Sequence, residues 1–205
     1  MLRLYDFWES GNCFKVRLVL AQLGIDYERV AVDILKGESR TPEYLGKNPN
    51  GRVPLLEWPD GRTLAESNAI IWHLATDTPL LPRDDWHRAK VLEWLGFEQY
   101  SHEPYIAVLR FWHFAGQLDD HRDEIAAKTE RGHAALAVME DHLAENDYFV
   151  GNRYSIADIA LYAYTHVAGE GGFDLSRYPA IRAWLDRVAA QPAHLRIDAV
   201  RPEGH

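Results

Sequence analysis

Three short segments in the first third of the chain carry residue types that can do chemistry together. Ser10-Gly11-Asn12-Cys13 falls between an expected first strand and first helix, where backbone N–H groups and the helix dipole favour an anion. Ser10 and Cys13 have the spacing of a Cys-x-x-Cys redox motif whose first thiol is replaced by a hydroxyl. The segment can therefore hold an anionic sulfur supplied from elsewhere, or Ser10 can simply cap the helix. Arg52-Val53-Pro54 precedes another strand. A cis Val53–Pro54 bond there would offer the Val53 N–H and C=O to an extended peptide, although trans is the commoner isomer. Glu66-Ser67-Asn68 ends a strand and opens a helix. Ser67 and the first N–H groups of that helix can hold a carboxylate while Glu66 pairs with an ammonium, an arrangement suited to an amino-acid zwitterion; ordinary capping by Ser67 is the alternative.

The elements that must position these segments follow from hydrophobic periodicity. Leu2 and Leu4 alternate as in a strand; Val16, Val19, Leu20 and Leu23 recur at helical spacing, and Gly24 stands where a C-terminal cap belongs. Tyr27, Val30, Val32 and Ile34 predict a second strand, parallel to the first because a helix is the usual crossover. Leu55-Leu56-Glu57-Trp58, Pro59-Asp60-Gly61 and Arg62-Thr63-Leu64 read as strand, tight turn and strand, and Ser67 opens a helix carrying Ile70, Ile71 and Leu74. From about residue 83 the pattern is helical. Ile125, Thr129, Gly132, Leu136, Met139 and Leu143 form one stripe, and Pro179, Ile181, Trp184, Leu185 and Val188 another with Pro in its first turn. Ser155-Ile156-Ala157-Asp158 has the form of a capping box, a folding signal rather than a chemical one. Pro79 and Pro82 mark residues 77–83 as a linker. The expected organisation is an α/β domain over 1–76, with a mixed βαβ-ββα sheet, and an all-α domain over 84–205.

Composition narrows the function. The chain has 205 residues, 47% hydrophobic and 12% aromatic, enough for a sizeable core and incompatible with disorder. With 22 Lys and Arg against 31 Asp and Glu, the net charge is −9, which removes the electrostatic driving force for nucleic acid or a polybasic membrane contact. The longest apolar runs, Ala134 to Met139 and Ile159 to Tyr164, have six residues each, far from the ~20 of a membrane span. The N-terminus lacks the apolar region of a secretory signal, so the mature chain is expected to begin at its first residue. A single cysteine allows neither an internal disulfide nor a thiolate-rich metal site and predicts a cytoplasmic protein without metal. The ten His include no His-Glu-x-x-His, and Ser10 lacks the Gly-x-Ser-x-Gly elbow of hydrolases.

The three segments occur together, in order, on a βαβ-ββα chain followed by helices. The motifs Ser10-Gly11-Asn12-Cys13, Asn48-Pro49-Asn50-Gly51-Arg52-Val53-Pro54-Leu55-Leu56, Glu66-Ser67-Asn68-Ala69-Ile70 and Gly151-Asn152-Arg153-Tyr154-Ser155-Ile156-Ala157-Asp158 resemble those of the glutathione S-transferase superfamily, serine-type and bacterial-like, over nearly the whole chain. The resemblance implies a thioredoxin-like first domain and an all-helical second one that forms the electrophile site. It implies that Ser10 is catalytic and donates a hydrogen bond to the glutathione sulfur, with Asn12 beside it. Val53, before a cis Pro54, would pair with the cysteinyl part of glutathione, and Glu66 and Ser67 would hold its γ-glutamyl end. Lys36 and Arg52 would approach its glycyl carboxylate. Asn12 stands where several serine-type classes have proline and others asparagine, which leaves the class open.

Glutathione is thus the implied co-substrate, and a small hydrophobic electrophile the implied partner of a detoxifying transferase of alkyl or aryl groups. Trp8, Tyr105, Leu109 and Trp112 are candidates for the electrophile pocket; the last three share one helix face, which can equally be core. Similar proteins form two-fold homodimers, and Glu98 or Gln99 could then reach the glutathione ammonium of the neighbouring subunit. Two other readings remain: a glutathione-dependent disulfide reductase or peroxidase, with or without Cys13 as its thiol, and a non-catalytic interaction module that keeps the fold. Modules of that kind commonly lose the hydroxyl or the Glu-Ser pair, whereas this chain keeps Ser10, Glu66 and Ser67.

Overall fold

A computed structural model describes residues 1–200. The chain divides into two compact units, Met1–Thr76 with the described residues from Pro192 on, and Asp77–Gln191.

In the first unit, β1 (Leu2–Asp6), α1 (Gly11–Gln22) and β2 (Tyr27–Ala31) form the βαβ unit, followed by α2 (Pro42–Lys47), β3 (Leu55–Glu57), β4 (Thr63–Ala65) and α3 (Ser67–Ala75). The sheet order is β2-β1-β3-β4. β1 runs parallel to β2, Leu2 opposite Tyr27, and antiparallel to β3, Leu4 opposite Leu56. This is the mixed sheet of a thioredoxin-like unit. β2 stops at Ala31, short of the expected Ile34. Val32 N–H still bonds to Asp6 C=O, but Asp33 then accepts from the Leu35 and Lys36 amides and closes a 3₁₀ turn that takes Ile34 out of the strand. Helix α1 ends on Gly24, whose positive φ of 64° lets Gly24 N–H reach Ala21 C=O and Ile25 N–H reach Leu20 C=O.

Helix α1 is buried on more of its surface than its apolar stripe suggests, because Lys15 and Arg17 are buried along with Cys13, Phe14, Val16, Leu18, Val19 and Leu20. Arg17, 1% exposed, places Nη1 2.6 Å from Asp6 Oδ1, and Arg29 bonds the other carboxylate oxygen. Arg17 Nη2 also donates to Trp8 C=O and to Ile197 C=O, each at 3.0 Å. The last bond brings the tail to the first unit, whereas the sequence assigned residues 192–200 to the helical domain.

The second unit contains α4 (Asp85–Phe97), a π turn (Glu98–His102), α5 (Glu103–Phe114), α6 (Arg122–Leu143), α7 (Ile156–Thr165) and α8 (Pro179–Ala189). The region expected as a linker is built into it, since Ile156 N–H donates to Leu80 C=O. The capping box of α7 forms, with Ser155 N–H bonded to Asp158 Oδ2. The fully buried Asp158 does more than the motif implies: it also accepts from Phe149 N–H at 3.2 Å and from Trp184 Nε1 at 3.0 Å, tying α7 to α8. Burial pushes its carboxyl up to about 6, against these hydrogen bonds, which favour the ionised form. Among the described residues no helix is long and apolar enough to cross a membrane.

Two substitutions test these anchors. Arg17→Met leaves the buried Asp6 with Arg29 alone and should cost about 3 kcal/mol in urea unfolding; Asp158→Ala strands several buried donors and should cost roughly 2–4 kcal/mol. An unchanged unfolding midpoint in either variant would contradict the role given to that residue.

Candidate functional site

The candidate groups of the first unit gather where β1 leads into α1 and β4 into α3. Ser10 is the N-cap of α1: Cys13 N–H donates to Ser10 Oγ at 3.3 Å, and Phe14 N–H to Ser10 C=O. The capping alternative read from the sequence is therefore real. It is also compatible with chemistry, because a hydroxyl that accepts from the helix keeps its own hydrogen to donate elsewhere. Cys13 is buried, with Phe7 N–H 3.5 Å from its sulfur, and burial pushes its thiol far up. A thiol in that state is a poor nucleophile.

Asn12 and Ser67 meet directly, Ser67 Oγ lying 3.0 Å from Asn12 Oδ1. Ser67 is buried at the first position of α3. Glu66, the residue before it, is exposed and has φ +68°, a conformation costly for a residue with a side chain. Its carbonyl accepts from Ile70 N–H, and its carboxylate from Asn50 Nδ2 at 3.3 Å. Beneath this group lies Lys15, without exposed surface, its Nζ 3.4 Å from Ser67 Oγ and 3.3 Å from Asn68 Oδ1.

The Val53–Pro54 bond is cis. Among the described residues the Val53 N–H and C=O have no backbone partner. The approach to Val53 is fixed from behind: Tyr44 Oη and Asn48 Nδ2 both donate to Arg52 C=O, at 2.7 and 2.8 Å. Gly51 suits that turn because its φ of +62° is one that residues with side chains rarely adopt, and Arg40 beside it donates to Asn50 C=O.

The remaining residues are placed less centrally. Lys36 is exposed on its 3₁₀ turn and pairs with Asp33 at 2.9 Å; Arg52 has an exposed side chain. Trp8 is partly exposed beside Phe7. In the second unit Tyr105 is partly exposed and accepts from Arg131, whereas Leu109 is buried and Trp112 is buried and stacked on His121. That face of α5 thus contributes mainly to its own unit's core. Among the described residues no group of three or more His, Cys, Asp or Glu side chains is placed to share a metal ion. Sequence reasoning missed Lys15 and Asn50. Asn50 lay within a quoted motif, but a lysine among apolar helix residues gives no signal that it points inward.

A mixed four-stranded sheet with its helices, followed by a helical unit, defines a thioredoxin-like domain joined to an all-helical one. Residues 1–76 match the family Glutathione S-transferase, N-terminal domain, and residues 97–192 match Glutathione S-transferase, C-terminal domain. The chain belongs to the glutathione S-transferase superfamily. It is 53% identical to a glutathione S-transferase from Pseudomonas fluorescens of known structure, covering 96% of this chain and 98% of that one with a TM-score of 0.94. It is 31% identical to the maleylacetoacetate isomerase of Pseudomonas aeruginosa, over 94% of this chain and 93% of the relative. A glutathione transferase from Burkholderia graminis, solved with two glutathione molecules bound per subunit, is 28% identical over 98% of this chain and 88% of its own, with a TM-score of 0.84.

The burial of Cys13 is directly testable. In the native protein its thiol should react with a small alkylating agent at least about a hundredfold more slowly than in urea; comparable rates, measured by mass spectrometry, would contradict its enclosure.

Proposed function

We propose that the protein is a glutathione transferase in which Ser10 donates a hydrogen bond to the sulfur of bound glutathione and holds it as a thiolate, poised to attack a small hydrophobic electrophile. The observation that carries this reading is the state of the Ser10 hydroxyl. It accepts from Cys13 N–H, and its own hydrogen has no acceptor among the described residues. A sulfur above the first turn of α1 would receive that hydrogen and feel the helix dipole.

The magnitudes are adequate. A thiol pKa near 8.5 leaves a few per cent thiolate at pH 7, and lowering it by about two units takes roughly 2.7 kcal/mol. One charge-assisted hydrogen bond contributes about 1.5–3 kcal/mol and a helix N-terminus about 1. In the reaction the sulfur lone pair forms a carbon–sulfur bond, the electrophile's leaving group departs with its bonding pair, and the thiol proton passes to solvent.

Val53 would pair with the cysteinyl backbone, Glu66 with the ammonium, and Ser67 with Asn12 would receive the γ-glutamyl carboxylate. Lys36 and Arg52, exposed on neighbouring loops, are the candidates for the glycyl carboxylate. Trp8 and Tyr105 keep surface to offer an electrophile. A homodimer fits the family. Glu98 is fully buried while Gln99 is exposed and donates to it, which makes Gln99 the better candidate to reach a neighbouring subunit's ligand. A cytoplasmic setting would supply the reduced glutathione.

With an aryl halide as electrophile, Ser10→Ala should lower kcat/KM at pH 7 by about 10–100-fold with little change in the KM for glutathione, and should shift the rising limb of its pH profile upward. Ser10→Thr should retain most of the activity. Unchanged kcat/KM and an unchanged profile in Ser10→Ala would reduce Ser10 to a helix cap.

A further inference from the structure

Asn48 closes helix α2 and is 4% exposed. Each of its polar groups is engaged. Its N–H donates to Tyr44 C=O and its C=O accepts from Gly51 N–H, both at 2.9 Å. Its side-chain amide faces two ways: Nδ2 donates to Arg52 C=O at 2.8 Å, and Oδ1 accepts from Asn50 N–H at 3.1 Å. A carbonyl needs the donor end of an amide and an N–H the acceptor end, so one orientation of Asn48 makes both bonds.

The two bonds lead to different arms of the candidate site. Arg52 C=O and Val53 N–H belong to one planar trans peptide unit and point in opposite directions. Holding that carbonyl from behind therefore aims the Val53 N–H to the other side. The bond to Asn50 N–H, with Arg40 on Asn50 C=O at 3.0 Å, fixes Asn50, whose Nδ2 donates to Glu66 Oε1 at 3.3 Å. Asn50 is neutral, so it orients the Glu66 carboxylate without cancelling its charge. The other Glu66 oxygen has no partner among the described residues.

We infer that Asn48 is a positioning residue that registers two recognition arms against each other: one buried amide fixes both the Val53 peptide, which would pair with a cysteinyl backbone, and, through Asn50, the Glu66 carboxylate, which would take an ammonium. The inference rests on the glutathione reading above and adds the residue that would hold the two arms at one separation, so that a ligand spanning them meets both without further ordering of the loop. Tyr44 braces the first arm and Asn50 the second; Asn48 serves both.

The test compares calorimetric binding of glutathione with that of glutaryl-cysteinylglycine, which lacks only the ammonium. Wild type should prefer glutathione by about tenfold or more. Asn48→Ala should weaken the analogue about fivefold or more and also cut the preference to about threefold or less. Tyr44→Phe, which removes the other donor to Arg52 C=O, should weaken both ligands alike and keep the preference. Asn50→Ala should cut the preference and leave the analogue within about twofold. An Asn48→Ala variant that changes one quantity or neither, a preference that survives Asn50→Ala, or one that Tyr44→Phe abolishes would overturn the inference while leaving the glutathione reading intact. If Asn48→Ala does not fold, Asn48→Asp decides: it keeps the acceptor for Asn50 N–H and loses the donor to Arg52 C=O, so it should weaken the analogue and keep the preference, and any other pattern overturns the inference. A wild type that binds both compounds alike would overturn it as well. A wild type that binds neither would overturn the glutathione reading, and the role of Asn48 with it.

Discussion

The carboxylate of Asp6, at the end of β1 and without exposed surface, is the point on which the first unit turns. It takes Arg17 on one oxygen and Arg29 on the other, so α1 and β2 are both fastened to the strand that precedes the candidate site. A buried charge of this kind is tolerated only while its partners hold, and each partner is therefore constrained in turn. Arg17 spends its remaining donors on Trp8 C=O and Ile197 C=O. The loop running into Ser10 is thus gripped from below, two residues before the hydroxyl, and the tail is drawn into the same unit.

From that anchor the two hydroxyls of the site take different partners. Ser10 accepts from an N–H of its own helix, and Ser67 faces an ammonium that can only donate. Ser10 thus has a lone pair occupied and keeps its hydrogen, whereas Ser67 passes its hydrogen on to Asn12 Oδ1. Cys13, the one group that could have competed as a nucleophile, is shut into the interior beside them. The proposed chemistry accordingly uses a thiolate that arrives with a ligand rather than one of the protein's own.

Much of this was legible in the sequence. The strand–helix–strand rhythm, the Pro59-Asp60-Gly61 hairpin turn and the Ser155–Asp158 box are local patterns, set by neighbours a few residues apart, and they formed. What was not legible depends on distant partners. Lys15 and Arg17 look like solvent-facing charges because their acceptors are 9 to 53 residues away in the chain, and Ile197 meets Arg17 across 180 residues. β2 ended early because the Asp33 cap outcompeted a continuing strand. The apolar face of α5 was ambiguous for a related reason: an i, i+4, i+7 stripe records burial without saying what covers it. Leu109 and Trp112 are buried in their own unit, while Tyr105 keeps exposed surface.

The central claim is that the Ser10 hydroxyl stabilises a thiolate it does not own. It is tested most directly by titrating the ultraviolet absorbance of glutathione bound to the wild type and to Ser10→Ala. The account predicts a bound thiol pKa about two units below that of free glutathione in the wild type, returning most of the way to the free value in Ser10→Ala. Glutathione that binds both proteins with the same pKa would contradict it.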